Sequence, residues 1–277
     1  MRKLFMGVGA GLLVLLGIGT IWDFEIATAV FRKGNAFSYF FEHFAPVVLG
    51  TIVVLAASLL LFSYDFKKSK KFFLVLSGFF YVLFIMFGGV LVINYIDNIG
   101  FIYLFIIAPV SGFFVSRIPK EYGNQCRRVG AAIVLAILAS MVLVESIKPM
   151  VGRVRFRSMQ DNFDLFTRWY QANGKTYLSF VPSKEEIKSF PSGHSQWAGS
   201  TLLLSLLATI QPSWRKYEKK LFLGALVYAG IIMFSRMMQG AHFLSDVTVG
   251  FSSAFVFLLI LRRLLVVKKE GGEGHLS

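Results

Sequence analysis

Long apolar runs recur along the whole chain, and they constrain its fold more than any other feature. Spanning a bilayer takes roughly 20 mostly apolar residues per helix. We identify candidate spans at about 4–22, 46–64, 72–94, 101–116, 130–147, 193–211, 220–236 and 245–265. Only 16% of the residues are charged and the mean hydropathy is +0.65, which disfavours a soluble domain. The sequence therefore predicts an all-α fold, a polytopic membrane helix bundle of about eight transmembrane helices.

The basic residues favour alternate connections, and this alternation predicts the orientation. With a cytoplasmic amino terminus, the cytoplasmic connections hold the basic groups at 67–71, 117–128, 215–220 and 262–269. That distribution follows the positive-inside rule. It accounts for most of the net charge of +14 without a nucleic-acid partner. Both termini are then cytoplasmic. Apart from the group at 215–220, the nine cations from Lys148 to Arg236 lie outside, which indicates a function there.

The first of three polar clusters follows the fifth span and supplies cations. It reads Lys148-Pro-Met-Val-Gly-Arg153-Val-Arg155. A continuous helix would place Lys148 and Arg155 on one face, two turns apart, although Pro149 argues against such a helix. Arginine presents a planar fork that suits two phosphate oxygens. Considered alone, Lys148 is more typical of a lysine that snorkels at the end of a span.

The second cluster, Pro191-Ser192-Gly193-His194, is typical of a helix start. Ser192 is a good cap, and Gly193 lets the backbone approach a ligand closely. Unpaired amides at such a start bind anions. His194 then lies beside the anion, and a histidine can donate a proton to a leaving oxygen near neutral pH. The alternative is a plain cap beside an interfacial histidine.

The third cluster, Ser235-Arg236 followed by His242 and Asp246, adds a cation and a His–Asp pair. Residues four apart share a helical face, so we predict that the Asp246 carboxylate accepts a hydrogen bond from His242 and orients its ring for nucleophilic attack. A buried structural pair is the alternative. Two histidines and one aspartate could also bind zinc, but the surrounding cations favour an anion, so we expect no metal and no cofactor.

At these three clusters the chain resembles the type 2 phosphatidic acid phosphatase superfamily. The family pattern is Lys, six residues, Arg-Pro; then Pro-Ser-Gly-His; then Ser-Arg, five residues, His, three residues, Asp. All of its positions are matched here except one, where Phe156 replaces the proline. The resemblance covers roughly 130–266.

The resemblance implies a metal-independent phosphatase with a six-helix core. His242 would attack phosphorus and form a phosphohistidine, Asp246 would hold its ring, and His194 would protonate the leaving group and later help to activate water. The phosphoryl oxygens would be bound by five residues, Lys148, Arg155, Ser192, Gly193 and Arg236.

These observations divide the chain into three parts. Residues 1–129 hold the first four helices and an aromatic stretch at 23–45, typical of an amphipathic helix in the outer interface. Residues 130–266 form the phosphatase core, in which the aromatic-rich loop 148–192 is an ordered lid at the interface. Residues 267–277 form a flexible cytoplasmic tail. The lone Cys126 permits no internal disulfide.

The leading hypothesis is a lipid phosphatase of the cell membrane, bacterial in character, with its active site on the extracytoplasmic side. Undecaprenyl pyrophosphate, phosphatidylglycerol phosphate, phosphatidic acid and a lipid A phosphate are candidate substrates. A phosphatase of a soluble sugar phosphate, a lipid phosphotransferase and an anionic-lipid transporter remain alternatives. The oligomeric state cannot be read from the sequence.

Overall fold

The computed structural model describes residues 1–64, 70–96, 99–159 and 162–267, and these residues fold as helices and loops without a β-strand. The α-helices are α1 (Arg2–Val30), α2 (Ala36–Leu61), α3 (Lys71–Ile96), α4 (Ile99–Ser116), α5 (Gly123–Val151), α6 (Gly193–Ser200), α7 (Glu218–Met238) and α8 (Leu244–Leu261). The predicted all-α membrane bundle is therefore confirmed. The predicted tail lies outside the described residues, apart from Val267.

Within the described parts of the chain, six helices are long and apolar enough to cross a membrane. Two predicted spans differ from this pattern. The run at 101–116 contains Pro109, and only Ile106–Ser116 is counted there, as a shorter apolar helix. The run at 193–211 begins with the eight residues of α6 and continues as a 3-10 helix over Thr201–Thr209. The hydroxyls of Ser205 and Thr209 donate to main-chain carbonyls three residues earlier, which disfavours a regular α-helix.

The stretch at 23–45 is divided between two long helices. α1 kinks at Trp22, whose φ of −120° and ψ of 22° are not helical, and it then continues to Val30. A short turn leads to α2, which begins at Ala36. The predicted amphipathic segment is therefore the second part of α1 plus the first turns of α2. Its position in the membrane interface stays a prediction.

Contacts between residues group the chain into two compact units. The first consists of Met1–Ala45, Ala139–Gly199 and Leu226–Phe255. The second consists of Pro46–Leu138, Ser200–Ala225 and Val256–Ser277. The predicted boundary at 129/130 follows the motifs, whereas the first unit also takes in the amino-terminal 45 residues. All residues of the three polar clusters belong to this first unit.

An aromatic cluster packs the loop 152–192 against the end of α1. The Phe24 ring contacts Phe156, Phe163 and Phe166, with centroids 5.9, 5.2 and 5.2 Å away. Phe156, which stands where the family pattern has proline, also packs edge-to-face against Phe243 at 6.2 Å. Because Phe243 directly follows His242, this cluster supports the segment that carries the histidine. The described part of the loop is thus packed against the helices by its aromatic side chains.

Candidate functional site

The amino-terminal end of α6 presents the Pro-Ser-Gly-His segment, and the predicted cap is present. The Ser192 hydroxyl oxygen accepts hydrogen bonds from the backbone N–H of Ser195 at 3.3 Å and from its hydroxyl at 2.9 Å. Gly250 of α8 packs behind this cap, so closely that a Cβ there would lie 2.2 Å from the Ser192 carbonyl oxygen. His194 follows in the first turn, and its ring hydrogen-bonds the main chain of Glu42.

Lys148 reaches this helix start from the last turn of α5. Its Nζ lies 3.2 Å from the position that a Cβ on Gly193 would occupy, so glycine makes room for the ammonium group. The same Nζ pairs with Glu145 Oε1 at 2.5 Å. The first and second sequence clusters therefore meet here.

A tight turn, and not a continuous helix, connects Lys148 to Arg155. α5 ends at Val151, Gly152 has a φ of +58°, and Arg155 is extended with φ −71° and ψ 141°. The left-handed conformation at Gly152 is open to glycine and ends the helix. The backbone N–H of Arg155 then donates to the carbonyl of Glu186 at 2.9 Å, which fixes the new direction.

Arg155 shares a carboxylate with Arg157. Its Nη1 is 3.5 Å from Glu186 Oε1, and Arg157 binds both oxygens of Glu186 at 2.8 and 3.1 Å. Ser158 also donates to this carboxylate. Burial raises the pKa of Glu186, but the hydrogen bonds from Arg157 and Ser158 and the charge of Arg155 bring it below its ordinary value. Glu186 is therefore an anionic counterion at the edge of the cationic cluster.

Arg236, in the last turn of α7, pairs with a carboxylate from the amino-terminal part of the chain. Its Nη1 lies 3.0 Å from Glu42 Oε1, and only 2% of the arginine side chain is exposed. Gln239 donates to the other oxygen of Glu42 at 2.6 Å. Since the Glu42 main chain also bonds His194, one turn of α2 contacts both the second and the third cluster.

The ring of His242 is oriented by a main-chain carbonyl. Its Nδ1 lies 2.5 Å from the carbonyl oxygen of Ser189, and His242 is 3% exposed. Because a carbonyl can only accept, this contact places the proton on Nδ1 and leaves the lone pair on Nε2. That is the tautomer a nucleophilic histidine requires.

The predicted direct bond between Asp246 and His242 is not among the bonds that the described residues make, so this part of the prediction is wrong. His242 precedes α8, whereas Asp246 lies in its first turn, so the two do not share a helical face. Asp246 Oδ2 accepts from Ser189 Oγ at 2.5 Å and from the backbone N–H of Phe243 at 2.8 Å. Asp246 thus acts on His242 through Ser189, the residue that holds the ring.

Two fully buried residues that the sequence left without a role complete this arrangement. Arg153 Nη1 donates to Asp246 Oδ1 at 2.5 Å, and its Nη2 donates to Asp23 Oδ2 at 3.0 Å. Its guanidinium also stacks over the Phe243 ring at 4.0 Å. Arg153 is in the first cluster, and Asp23 is the buried one of the two carboxylates in the long apolar helix α1. An ionisable group in such a helix is itself a signal of a functional site.

The three clusters converge on His242. Burial, together with the positive charges of Arg155 and Arg236, lowers the pKa of His242 well below its ordinary value, against the opposing hydrogen bond to Ser189. The His242 imidazole is therefore neutral near pH 7. Burial and the same two arginines also lower the pKa of His194. Within the described residues, no group of three His, Cys, Asp or Glu side chains is arranged to hold a metal ion. The site is a cluster of cations around a neutral histidine whose Nδ1 is bound to the Ser189 carbonyl.

The described residues thus combine helices of membrane-spanning length with a cluster of cations beside a neutral histidine. The family model of the PAP2 superfamily matches residues 130–269, slightly more than half of the chain. The protein therefore belongs to the PAP2 superfamily, a family of membrane phosphatases, as the sequence motifs indicate. No curated protein and no solved structure matches the chain significantly.

Proposed function

We propose that the protein is an integral-membrane lipid phosphatase that hydrolyses the phosphate or pyrophosphate ester of a lipid through a phosphohistidine intermediate. The observation that carries this proposal is the fixed tautomer of His242, whose Nδ1 is bound to the Ser189 carbonyl while Arg155 and Arg236 lie close by. A transporter needs cations to bind a lipid phosphate, but it has no use for a histidine prepared as a nucleophile.

In the first step, the lone pair on Nε2 of His242 attacks phosphorus and the bond from phosphorus to the lipid oxygen breaks. The bonding electrons go to that oxygen, which takes a proton from His194. Lys148, Arg155, Arg236 and the helix start at Ser192 and Gly193 stabilise the charge that spreads over the phosphoryl oxygens. In the second step, water attacks phosphorus while His194 takes its proton, the P–N bond breaks and its electrons return to Nε2.

The substrate class follows from the surroundings of the site. Helices of membrane-spanning length and exposed aromatic side chains such as Phe163, Tyr170 and Phe180 favour a substrate whose headgroup lies at the membrane surface. Undecaprenyl pyrophosphate, phosphatidylglycerol phosphate, phosphatidic acid and a lipid A phosphate all meet this requirement. The basic connections on the opposite side favour action at the outer leaflet.

Phosphate release from defined lipid phosphates in detergent, with EDTA present, tests the proposal. We expect turnover by the wild type and a loss of about 1,000-fold or more in His242→Ala, because the nucleophile is removed. His43→Ala is the matched control, since this histidine stacks on Tyr39 within α2 and bonds its carbonyl. Rapid alkaline quenching with a labelled lipid should trap a phosphorylated histidine in the wild type.

Three outcomes would contradict the proposal. A strict requirement for added divalent metal would argue against the metal-independent reaction. Equal activity of His242→Ala and His43→Ala would argue against the nucleophile. Faster turnover of a water-soluble sugar phosphate than of every lipid would move the protein to a different substrate class.

A further inference from the structure

The carboxylate of Asp23 is fully buried, although it belongs to α1 and lies more than 100 residues before the region that the family model matches. Gly19, one turn earlier, makes this position possible. A Cβ at Gly19 would lie 2.8 Å from the backbone nitrogen of Ser245 and 2.9 Å from Asp23 Oδ1. The absence of a side chain at Gly19 therefore lets α1 bring a charged group against the start of α8.

Asp23 binds the amino-terminal turn of α8. Its Oδ1 accepts from the backbone N–H of Ser245 at 2.9 Å, and its Oδ2 accepts from the Ser245 hydroxyl. The first backbone N–H groups of a helix have no partner within the helix, and a negative charge there is favourable. Asp23 thus fixes the start of α8 only three residues after His242.

The same carboxylate holds Arg153. Asp23 Oδ2 and Asp246 Oδ1 bind the two terminal nitrogens of this guanidinium, and Ser245 Oγ accepts from it at 2.9 Å. Without Asp23, one arm of a completely buried cation would lose its anionic partner, which is costly because the Arg153 side chain is not exposed to solvent. Asp23 therefore determines where Arg153 lies.

From Arg153 a continuous series of contacts leads to the reacting ring. Arg153 holds Asp246, Asp246 holds the Ser189 hydroxyl, and the Ser189 carbonyl holds Nδ1 of His242. The carbonyl oxygen of Arg153 also accepts from the backbone N–H of Ser189 at 3.0 Å. Ser189 is thus fixed at its main chain by Arg153, which Asp23 binds, and at its side chain by Asp246, which Arg153 binds.

We propose that Asp23, outside the matched family region, is a positioning residue that sets the orientation of His242 through Arg153, Ser245, Asp246 and Ser189. This inference rests on the proposed function, because it assigns Asp23 a role in that reaction. Asp23 does not touch the substrate. The amino-terminal helix is accordingly part of the reaction centre and serves as more than a membrane anchor.

Asp23→Asn tests the inference, because it keeps the shape of the side chain and removes its charge. We expect kcat to fall by about 10- to 100-fold, the range typical of residues that orient a reacting group through another residue. KM should change less than about 3-fold, since Lys148, Arg155 and Arg236 keep their places. Glu25→Gln is the matched control, because it makes the same chemical change at an exposed position of the same helix.

The measurements separate this inference from the proposed function. If neither the wild type nor Glu25→Gln releases phosphate from any lipid, both the positioning role and the proposed function are overturned. Active wild type with an unchanged kcat in Asp23→Asn would overturn the positioning role alone, and so would a rise in KM at constant kcat. If Asp23→Asn does not accumulate as folded protein, Ser245→Ala removes the hydroxyl that links Asp23 to Arg153 and keeps both charges. We expect this variant to lower kcat by about 5-fold, and an unchanged kcat would overturn the inference.

Discussion

At the scale of single residues, the structure pairs each of the three cations that we propose to bind phosphate with a carboxylate. The pairs are Lys148 with Glu145, Arg155 with Glu186 and Arg236 with Glu42. A buried cation without a counterion is unfavourable, so these carboxylates stabilise the site when no substrate is bound. An entering phosphate must compete with them for the same donors. Binding is therefore an exchange of anions.

The sequence singles out the cations of the candidate site but not their counterions. Lys148, Arg155 and Arg236 stand in spaced motifs, whereas Glu42 and Glu186 have no fixed spacing to the residues they contact. Sequence spacing also misleads at Asp246, for which it predicts a direct bond to His242. A separation of four residues suggests a direct contact with His242 only if both lie in one helix, and the start of α8 at Leu244 prevents that.

The low pKa of His242 predicts a specific pH dependence of stability. The ring remains neutral in the folded protein below pH 6.5, its ordinary pKa, whereas in the unfolded chain it takes up a proton. The unfolded state is therefore favoured as the pH falls below that value. Between about pH 7.5 and pH 5.5, we expect the wild type to lose about 1 kcal/mol more stability than His242→Asn, in which the side chain does not titrate.

Asparagine is the suitable replacement in this comparison, because its amide N–H can still donate to the Ser189 carbonyl. Unfolding free energies of both proteins in detergent, measured across the pH range, provide the check. The groups that act on His242 are Arg155, Arg236 and His194, and all three are unchanged in the variant. Parallel pH profiles for the two proteins would show that the ring is not held neutral.

At the scale of secondary-structure elements, the end of α5 determines whether Lys148 and Arg155 can act together. The hydrophobic pattern predicts the helix, and Pro149 signals that it does not extend far. The direction of the turn is not predictable from local sequence, because it depends on the segment that packs against Gly152. That segment is held by two backbone bonds, from Asn173 to Val151 and from Gly174 to Met150, at 2.9 and 3.1 Å.

Gly152 in this turn and Gly174 in the segment that packs against it provide a matched pair of substitutions. Both have positive φ values, +58° at Gly152 and +56° at Gly174, so alanine costs about 1–2 kcal/mol at either position. At Gly152 a Cβ would also lie 1.8 Å from the Gly174 carbonyl oxygen, whereas at Gly174 it would meet nothing within 4 Å. We expect Gly152→Ala to lose a further 1–3 kcal/mol or so from this steric overlap.

Thermal unfolding and phosphate release of the two variants check this prediction. Gly174→Ala should keep most of its activity, because the backbone strain is local. Gly152→Ala should lose activity as well as stability, since the overlap separates Lys148 from Arg155. Equal effects of the two substitutions would mean that the close approach of the two segments does not determine the geometry of the site.

At the scale of the whole molecule, the compact unit that contains the site also includes the first 45 residues. Residue motifs locate the phosphatase part at about 130–266, and the family match covers 130–269. Neither reveals that Asp23 and Glu42 contact Arg153 and Arg236. Apolar patterning predicts that the early helices exist, but it carries no information about which distant residues their few polar side chains will meet.

The arrangement of α1 supports the predicted orientation in the membrane. Asp23 follows Arg2 by a helical length of about 30 Å, close to the thickness of the hydrocarbon core. The basic amino terminus and the site residues around Asp23 therefore belong to opposite ends of this helix. If the basic connections are cytoplasmic, the site faces the outer side.

Cysteine labelling in intact cells tests this orientation. In a Cys126→Ser background, which removes the single native cysteine, Ser179→Cys adds a thiol to the exposed loop between α5 and α6. Ser213→Cys adds one to the exposed segment before α7. A membrane-impermeant maleimide should label the first variant in intact cells, and the second only after the membrane is permeabilised, because the positive-inside rule keeps the basic segment at 215–220 in the cytoplasm. The reverse pattern would place the reaction on the cytoplasmic leaflet, and a lipid presented only from outside would then not be hydrolysed.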